Sequence, residues 1–446
     1  MERVYVVTPK ASVVGTGKKT RGKDSIGLRE AIAIGIGGMV GGGIFSVLGL
    51  SVQISGPGAY ISFMLGGIIS FLTGYSYAKL AVRFPFKGGT VEYLNRAFGT
   101  GIISGMLNML LWVGYIVTLS LYAFSFGSYA AALMPGAFGL WRHVFTSLVI
   151  ISFTGLNVMG AAIVGGAEDI MVYTKLLILT FFGVAGLISL KTGSLVPTKG
   201  ELSSVVLAGA IIYVAYEGFE LVANSAADLR EPEKNLPRAL YISIGVVTAL
   251  YILVALVAVG NLSTQQLTAD AEFALAAAAK PFLGQAGFVL VAAAAIISTA
   301  SAINATLYGA AKNAYVMAKE KELPKELERL VWDRPIEGLL ITGGATLVIA
   351  NVVNLTNIST MASSSFLVIF AAVNLANMKL RKDTGAKAWI SFLGFVGCAG
   401  SFITVLVYSI LHNLSGVFFL AGMFVMALTI ESVYEQYRKR RKKVAG

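Results

Sequence analysis

The sequence has very little cysteine, histidine or charge. It contains one cysteine, Cys398, and two histidines, His143 and His412, in 446 residues. A single thiol forms no disulfide within the chain, and two isolated histidines at the edges of apolar segments do not suit a zinc site or a Ser-His-Asp triad. We therefore expect no cofactor, no metal and no disulfide-linked subunit, and we predict that the protein is not an enzyme.

What replaces the missing charge is hydrophobicity. Hydrophobic residues make up 56% of the chain and charged residues 13%, which predicts an integral membrane protein rather than a soluble one. A bilayer core requires roughly 20 apolar residues per helix, and windows of that length predict an all-α protein of about twelve transmembrane helices. The predicted spans are 29–51, 59–82, 101–133, 143–161, 168–190, 203–228, 238–260, 284–317, 338–355, 358–379, 388–410 and 415–436.

Lysine and arginine fall mainly on one side of these spans. With the N-terminus inside, the cytoplasmic segments include the basic stretches 18–23, 319–334 and 438–443, whereas the other side has few basic residues, among them Arg142 and Lys280. The positive-inside rule then predicts a multi-pass protein of the cell (plasma) membrane with both termini cytoplasmic. The net charge of +12 is explained by loops that face the lipid bilayer, so we expect no nucleic-acid partner.

Two spans contain residues that disfavour a regular helix. The first has three consecutive glycines, Gly41-Gly42-Gly43, each of which costs about 1 kcal/mol of helix propensity, and the sixth is interrupted at Tyr213–Glu220 around Gly218. We predict that helices 1 and 6 are broken there. A pair of breaks in corresponding positions of two halves is typical of a transporter binding site.

The breaks predict where a substrate binds. N–H groups freed at Gly41, Gly42 and Gly43, with Ile44 beside them, are expected to bind a carboxylate with help from the helix dipole. Carbonyl groups freed around Gly218 are expected to bind an ammonium group.

Three ionisable residues lie deep in the spans. Lys175 is in the fifth span, and Glu217 and Glu220 are in the sixth. Inserting a charge at such depth in a membrane costs at least about 2.5 to 3.5 kcal/mol of free energy, so a charged residue there is by default interpreted as functional. Lys175 is interpreted as a group that gains and loses a proton and so replaces a coupling cation; the alternative is a fixed salt bridge, with Glu220 as the candidate partner.

The remaining site candidates leave two interpretations open. Glu217 and Glu220 either hold the loose backbone or face the substrate and favour a cationic one. Tyr213, Tyr216 and Phe219 either pack in the core or form walls of the site. In the eighth span, Ser298 and Ser301 either bond to their own and neighbouring helices or face an ion-like site.

Several motifs together resemble the amino acid–polyamine–organocation (APC) permeases. They are Gly41-Gly42-Gly43-Ile44-Phe45, Tyr216-Glu217-Gly218-Phe219-Glu220 followed by Asn235-Leu236-Pro237-Arg238, and Asn304-Ala305-Thr306. The chain looks most similar to an archaeal proton-coupled, broad-specificity amino acid transporter of that family, whose fifth helix carries a lysine where Lys175 stands. The resemblance implies that this lysine faces Gly37, Gly38 and either Ser298 or Ser301.

The resemblance also implies a LeuT-type fold with a 5+5 inverted repeat and two extra helices. On that basis we expect a cytoplasmic basic tail at 1–28, repeat 1 at 29–190, repeat 2 at 203–380, two further helices at 388–436, and a basic cytoplasmic tail at 437–446.

These features predict a secondary active transporter, a proton-coupled amino acid symporter that works by alternating access, with the proton as coupling ion. The alternative is a cationic amino acid or polyamine exchanger of the same family, favoured by Glu217 and Glu220. An ion channel is a remote alternative, because no charged ring or filter-like carbonyl motif is present.

Overall fold

The computed structural model describes residues 26–85, 89–159, 165–190, 195, 202–319 and 335–444. These residues are helical and form no β-strand; Ile26 and Leu229 pair in an isolated bridge. The predicted N-terminal tail up to residue 25 and most of the basic stretch 319–334 lie outside the described residues. The predicted orientation, which depends partly on them, stays a prediction.

The described residues contain sixteen α-helices, some of them separated by short 3₁₀ turns. The helices are α1 (Leu28–Ser55), α2 (Ala59–Arg83), α3 (Thr90–Phe98), α4 (Ile102–Ala131), α5 (Phe138–Met159), α6 (Gly165–Ile188), α7 (Leu202–Ile211), α8 (Glu220–Asn224), α9 (Pro232–Asn261), α10 (Thr264–Ala269), α11 (Ala274–Lys319), α12 (Ile336–Val352), α13 (Leu355–Lys379), α14 (Arg381–Thr384), α15 (Ala388–His412) and α16 (Leu414–Val444).

The predicted all-α membrane fold is confirmed. Nine helical stretches of the described residues are long and apolar enough to cross a membrane, one of them the 56-residue stretch that joins α1 and α2. The pair α7 and α8 makes a tenth, and α12 is a shorter apolar helix. Each predicted span coincides with one of these helices, and the eighth span begins where Gly284 interrupts α11 with a φ of 65°.

The predicted break in the sixth span is present. After α7 ends, Tyr213–Phe219 forms a 3₁₀ turn, and the segment Tyr213–Asp228 is bent by 44° relative to Leu202–Ile211. The turn is buried throughout and packs against α1. In a 3₁₀ turn each N–H group bonds to the carbonyl three residues earlier instead of four. The regular α-helical bonding is therefore interrupted between α7 and α8.

The predicted break in the first span is wrong. α1 is one continuous helix from Leu28 to Ser55 that runs through the glycine run. The glycines serve close packing instead: a Cβ atom added at Gly42 would lie 2.0 Å from the Tyr122 ring, and one at Gly43 would lie 2.9 Å from the Ala215 carbonyl oxygen. Because glycine has no side chain, residues of adjacent helices pack directly against the α1 backbone, and these contacts offset the low helix propensity of glycine.

This packing predicts that Gly42→Ala destabilises the protein by about 1 to 3 kcal/mol, because the new methyl group would overlap a buried ring. Gly344→Ala in α12 is the matched control, since an added Cβ there meets nothing within 4 Å. The control is expected to be neutral or stabilising by up to about 1 kcal/mol. Thermal unfolding in detergent compares the two, and equal melting temperatures would contradict the packing role of Gly42.

Candidate functional site

The junction between α1 and the 3₁₀ turn is a contact between two backbones. A Cβ atom at Gly218 would lie 2.2 Å from the carbonyl carbon of Gly38, and one at Gly38 would lie 2.9 Å from the Gly218 carbonyl oxygen. Tyr251 of α9 connects the two elements, because its hydroxyl lies 2.6 Å from the Met39 carbonyl oxygen and 3.2 Å from that of Ala215. Only glycine permits so close an approach.

Side chains from two other helices donate to carbonyl groups of α1. Lys175 of α6 is 3% exposed, and its Nζ donates to the Gly37 carbonyl oxygen at 3.0 Å. Ser298 of α11 donates to the carbonyl oxygens of Val40 at 2.9 Å and Gly41 at 2.7 Å. A carbonyl oxygen has two lone pairs, so it can accept such a bond and still serve its own helix. The middle of α1 is therefore an acceptor surface although the helix is unbroken.

The two buried carboxylates of the sixth span face different helices. Glu217 accepts hydrogen bonds from Thr118 Oγ1 at 3.1 Å and the Tyr122 hydroxyl at 3.2 Å, both on α4. Glu220 accepts from the Tyr77 hydroxyl of α2 at 3.0 Å and from Thr90 Oγ1 of α3 at 3.2 Å. Among the described residues, the hydrogen bonds to both carboxylates are therefore donated by hydroxyl groups.

A cavity of about 200 Å³ lies at this junction. An engineered cavity of about 150 Å³ can hold a benzene molecule, so this volume suits a small organic ligand. The cavity lies between α1, α4, the 3₁₀ turn with α8, and α11. Its walls are formed by Ile34, Gly37, Gly38, Tyr115, Tyr122, Glu217, Gly218, Glu220, Leu221, Asn224, Ser301, Ala302, Ala305, Thr306, Tyr308, Gly309, Lys312 and Asn313.

The cavity lies toward the predicted cytoplasmic side. Ile34 is near the start of α1 and Lys312 near the end of α11, and both of these helix ends are predicted to be cytoplasmic. The other half of α1 is covered, since a Cβ atom at Gly49 would lie 2.1 Å from the Ala271 carbonyl oxygen. Ala271 and Glu272 belong to a second 3₁₀ turn, Ala271–Phe273, and Glu272 forms a 3.3 Å ion pair with Arg142.

The sequence is similar to those of known membrane transporters. Residues 26–431 match the family of amino acid permeases. The chain belongs to this family of membrane transporters. It is 36% identical to the uncharacterized protein MJ0609 of Methanocaldococcus jannaschii, over 93% of this chain and 96% of that protein. It is 34% identical to the inner membrane transport protein YbaT of Escherichia coli K12, over 84% of this chain and 87% of that protein.

A solved structure has the same fold as this permease. The manganese transporter of Eremococcus coleocola aligns with a TM-score of 0.60, over 92% of this chain and 96% of that one, at 13% sequence identity. This similarity supports a LeuT-like arrangement of helices. The division into two inverted repeats at the predicted boundaries stays a prediction.

The permease brings many of the predicted site residues to the cavity. Gly37, Gly38, Ser301, Glu217, Gly218 and Glu220 form part of its walls. Lys175 and Ser298 contact carbonyl groups of α1 next to it. The polar contact described for Glu220 is with hydroxyl groups, and that described for Lys175 is with a backbone carbonyl.

Other predicted residues lie away from the cavity walls. Gly41, Gly42, Gly43 and Ile44 are buried inside α1, where a regular helix uses each N–H group for the carbonyl four residues earlier. The aromatic residues of the turn are packed. The Tyr216 hydroxyl donates to the Phe63 carbonyl oxygen at 2.6 Å, and the rings of Tyr213 and Phe219 contact Phe370.

Several cavity residues were not among the sequence candidates. Tyr122 lines the cavity and, together with Thr118, donates to Glu217; Asn224 lies one turn beyond Glu220, and Lys312 lies near the end of α11. Each is a polar residue in or near an apolar segment. No local pattern distinguishes such residues from those that bond within their own helix.

The junction predicts a measurable role for the Tyr251 hydroxyl. Tyr251→Phe removes the bonds to Met39 and Ala215 without changing the ring, so we expect a loss of about 1 kcal/mol of stability. Tyr60→Phe is the control, because its hydroxyl makes one 3.3 Å bond at a partly buried position. If Tyr251→Phe unfolds at the same temperature as the control in detergent, the junction does not depend on this hydroxyl.

Proposed function

We propose that the permease is a proton-coupled amino acid symporter that works by alternating access. The observation that carries the proposal is the Lys175 Nζ, buried and 3.0 Å from the Gly37 carbonyl oxygen at the cavity wall. This residue is one contact away from the space where a substrate would bind. A change in its protonation would therefore alter the backbone that lines the substrate site.

The physical basis is the difference between an ammonium group and a neutral amine. The ammonium group donates a charge-assisted hydrogen bond to the Gly37 carbonyl, whereas the neutral amine binds it more weakly. Loss of the proton therefore loosens the contact between α6 and α1 at the point where α1 borders the cavity.

The size of this effect suits a conformational switch. Shifting a two-state equilibrium from 1:99 to 99:1 requires a differential interaction of about 5.5 kcal/mol. Placing or removing one charge within a membrane span is worth at least about 2.5 to 3.5 kcal/mol. Together with a bound substrate, the proton on Lys175 supplies a free energy of the required order.

The state of the cavity supports alternating access. It lies on the predicted cytoplasmic side, while Ala271 packs against the other half of α1 at Gly49. In a transporter this is an inward-facing arrangement. The return to an outward-facing state would separate Glu272 from Arg142 and close the cavity around Gly38 and Gly218.

The coupling is tested by uptake into proteoliposomes. We expect wild-type protein to accumulate labelled L-alanine when the outside is acidic, independently of sodium. Lys175→Ala should bind alanine but lose the response to the pH gradient, since the group that titrates is gone. Lys319→Ala, an exposed lysine on α11, is the control and should behave as wild type. Uptake that ignores both the pH gradient and sodium, or a Lys175→Ala variant with full gradient dependence, would contradict the proposal.

A second candidate function is transport of cationic amino acids or polyamines. It is favoured by Glu217, a buried carboxylate at the cavity wall whose described hydrogen bonds come from hydroxyl groups. A carboxylate has about four acceptor positions, so capacity for an ammonium or guanidinium group of a ligand is left.

The two candidates differ in what competes with alanine. If Glu217 selects cations, excess arginine or putrescine should inhibit alanine uptake, and Glu217→Gln should weaken that inhibition about tenfold through loss of a charge-assisted bond. The glutamine variant keeps the shape, and the hydroxyl group that faces the new amide nitrogen accepts from it instead of donating. Equal inhibition of wild type and Glu217→Gln would reject the cationic alternative.

A further inference from the structure

A chain of polar contacts lies at the outer end of the bundle, the end that is predicted to face away from the cytoplasm. There Glu272 of the second 3₁₀ turn, which packs against α1, forms its ion pair with Arg142 of α5. The same guanidinium group lies 3.1 Å from Nε2 of His143. Nδ1 of His143 lies 2.8 Å from Oδ1 of Asn351 on α12. These contacts connect the turn that packs on α1 to a titratable side chain.

The partners of His143 determine where its proton lies. The amide nitrogen of Asn351 donates to the Leu347 carbonyl oxygen at 2.9 Å, so the amide oxygen faces the imidazole ring and accepts from Nδ1. Arginine has donors and no acceptor, so Nε2 must accept from Arg142. The ring is therefore neutral in this arrangement, with its single proton on Nδ1.

A second proton on His143 is incompatible with the contact to Arg142. It would occupy Nε2, the atom that accepts from the guanidinium group, and it would place two cations 3.1 Å apart. Histidine is the side chain whose charge ordinarily changes between about pH 5 and about pH 8. His143 is partly exposed, so protons can reach it from the aqueous phase. Acidification on this side should therefore displace Arg142.

The carboxylate of the ion pair is engaged on both oxygens. Glu272 Oε1 lies 3.3 Å from Arg142 Nη1, and Oε2 accepts from Ser128 Oγ of α4 at 2.9 Å. The Phe124 ring of α4 lies 4.5 Å from the central carbon of the guanidinium group. Glu272 thus joins the second 3₁₀ turn to α4 through a neutral donor and to α5 through a cationic one. The cationic donor is the one that also contacts His143.

Other charged groups lie on the elements around this end of α5. The second 3₁₀ turn brings Glu272 and, just before it, Asp270. α11 brings Lys280, whose ammonium group lies 4.3 Å from the centre of the Phe288 ring. The contacts described from α4 and α12 come from uncharged groups. Glu272 is the alternative proton acceptor, because its protonation would also release Arg142.

We propose that His143 is a proton-binding site at the outer end, separate from Lys175, and that its protonation opens the permease to that side. The bound proton breaks the contact with Arg142, weakens the ion pair with Glu272 and so releases the second 3₁₀ turn from α5. The inference uses alternating access from the proposed function but not its proton coupling. The proton on His143 controls opening and is not carried across the membrane with the substrate.

Opening is measured as the distance between two spin labels, one on each side of the ion pair. The labels are attached to Gly139→Cys on α5 and Gln265→Cys on α10; both positions are exposed, and a Cβ atom at Gly139 meets nothing within 4 Å. Cys398 is buried, and the chain without the new cysteines measures any label on it. In lipid nanodiscs, the ratio of closed to open distances should fall about tenfold between about pH 8 and about pH 5.

Variants of the histidines show which group responds. His143→Gln keeps an acceptor for Arg142 and a donor for Asn351 but does not titrate, so its distance should be the same at both pH values. His143→Lys carries a positive charge and no acceptor, so it should give the open distance at both. His412→Gln changes the other histidine of the chain and should respond as wild type does.

The outcomes separate this inference from the proposed function. A distance that does not change with pH in wild type would overturn it. A response that persists in His143→Gln would also overturn it and would assign the response to Glu272. Lys175→Ala should keep the response, and its loss there would contradict the separation of the two proton sites. Failure of the proposed coupling is recognised independently, by alanine uptake that ignores the pH gradient in proteoliposomes.

Discussion

Lys175 donates a hydrogen bond to a backbone carbonyl in the middle of a helix bundle, where hydrocarbon offers no competing partner. Separating the ammonium group from this carbonyl loses a charge-assisted hydrogen bond, and hydrocarbon provides no water to replace it. In the proposed function, the position of α6 relative to α1 depends on the charge of this side chain. Tyr251 and Ser298 donate to neighbouring carbonyl groups and hold α1 in place. The Lys175 contact therefore joins α6 to a helix that is already fixed.

The glycines of α1 make this arrangement possible. They let the 3₁₀ turn, α4 and α11 approach the helix closely enough for side chains to reach its carbonyl groups. The break lies in the segment that packs against α1, at Tyr213–Phe219, where Gly218 meets Gly38. One continuous helix and one interrupted segment thus form the inner wall of the cavity.

Much of the fold could be predicted from the sequence, because long apolar segments have few alternatives in a bilayer. The spans, the sixth-helix break and the burial of Lys175 follow from hydropathy and from the rarity of charge within a span. The glycine run could not be interpreted in the same way. Helix propensity describes an isolated helix, whereas Tyr122, Tyr251 and Ala215 pack against this one. That Asn224 and Lys312 line the cavity depends on how α8 and α11 are placed in the bundle, and tertiary packing alone sets that.

The central claim is that a proton moves with the substrate because Lys175 carries it. Proteoliposomes that enclose a pH-sensitive dye measure this directly when L-alanine is added outside at equal internal and external pH. The account predicts that alanine acidifies the lumen through wild-type protein and that Lys175→Ala abolishes the acidification while alanine still binds. Accumulation of alanine by wild type without acidification, or an unchanged ratio of protons to alanine in Lys175→Ala, would contradict it.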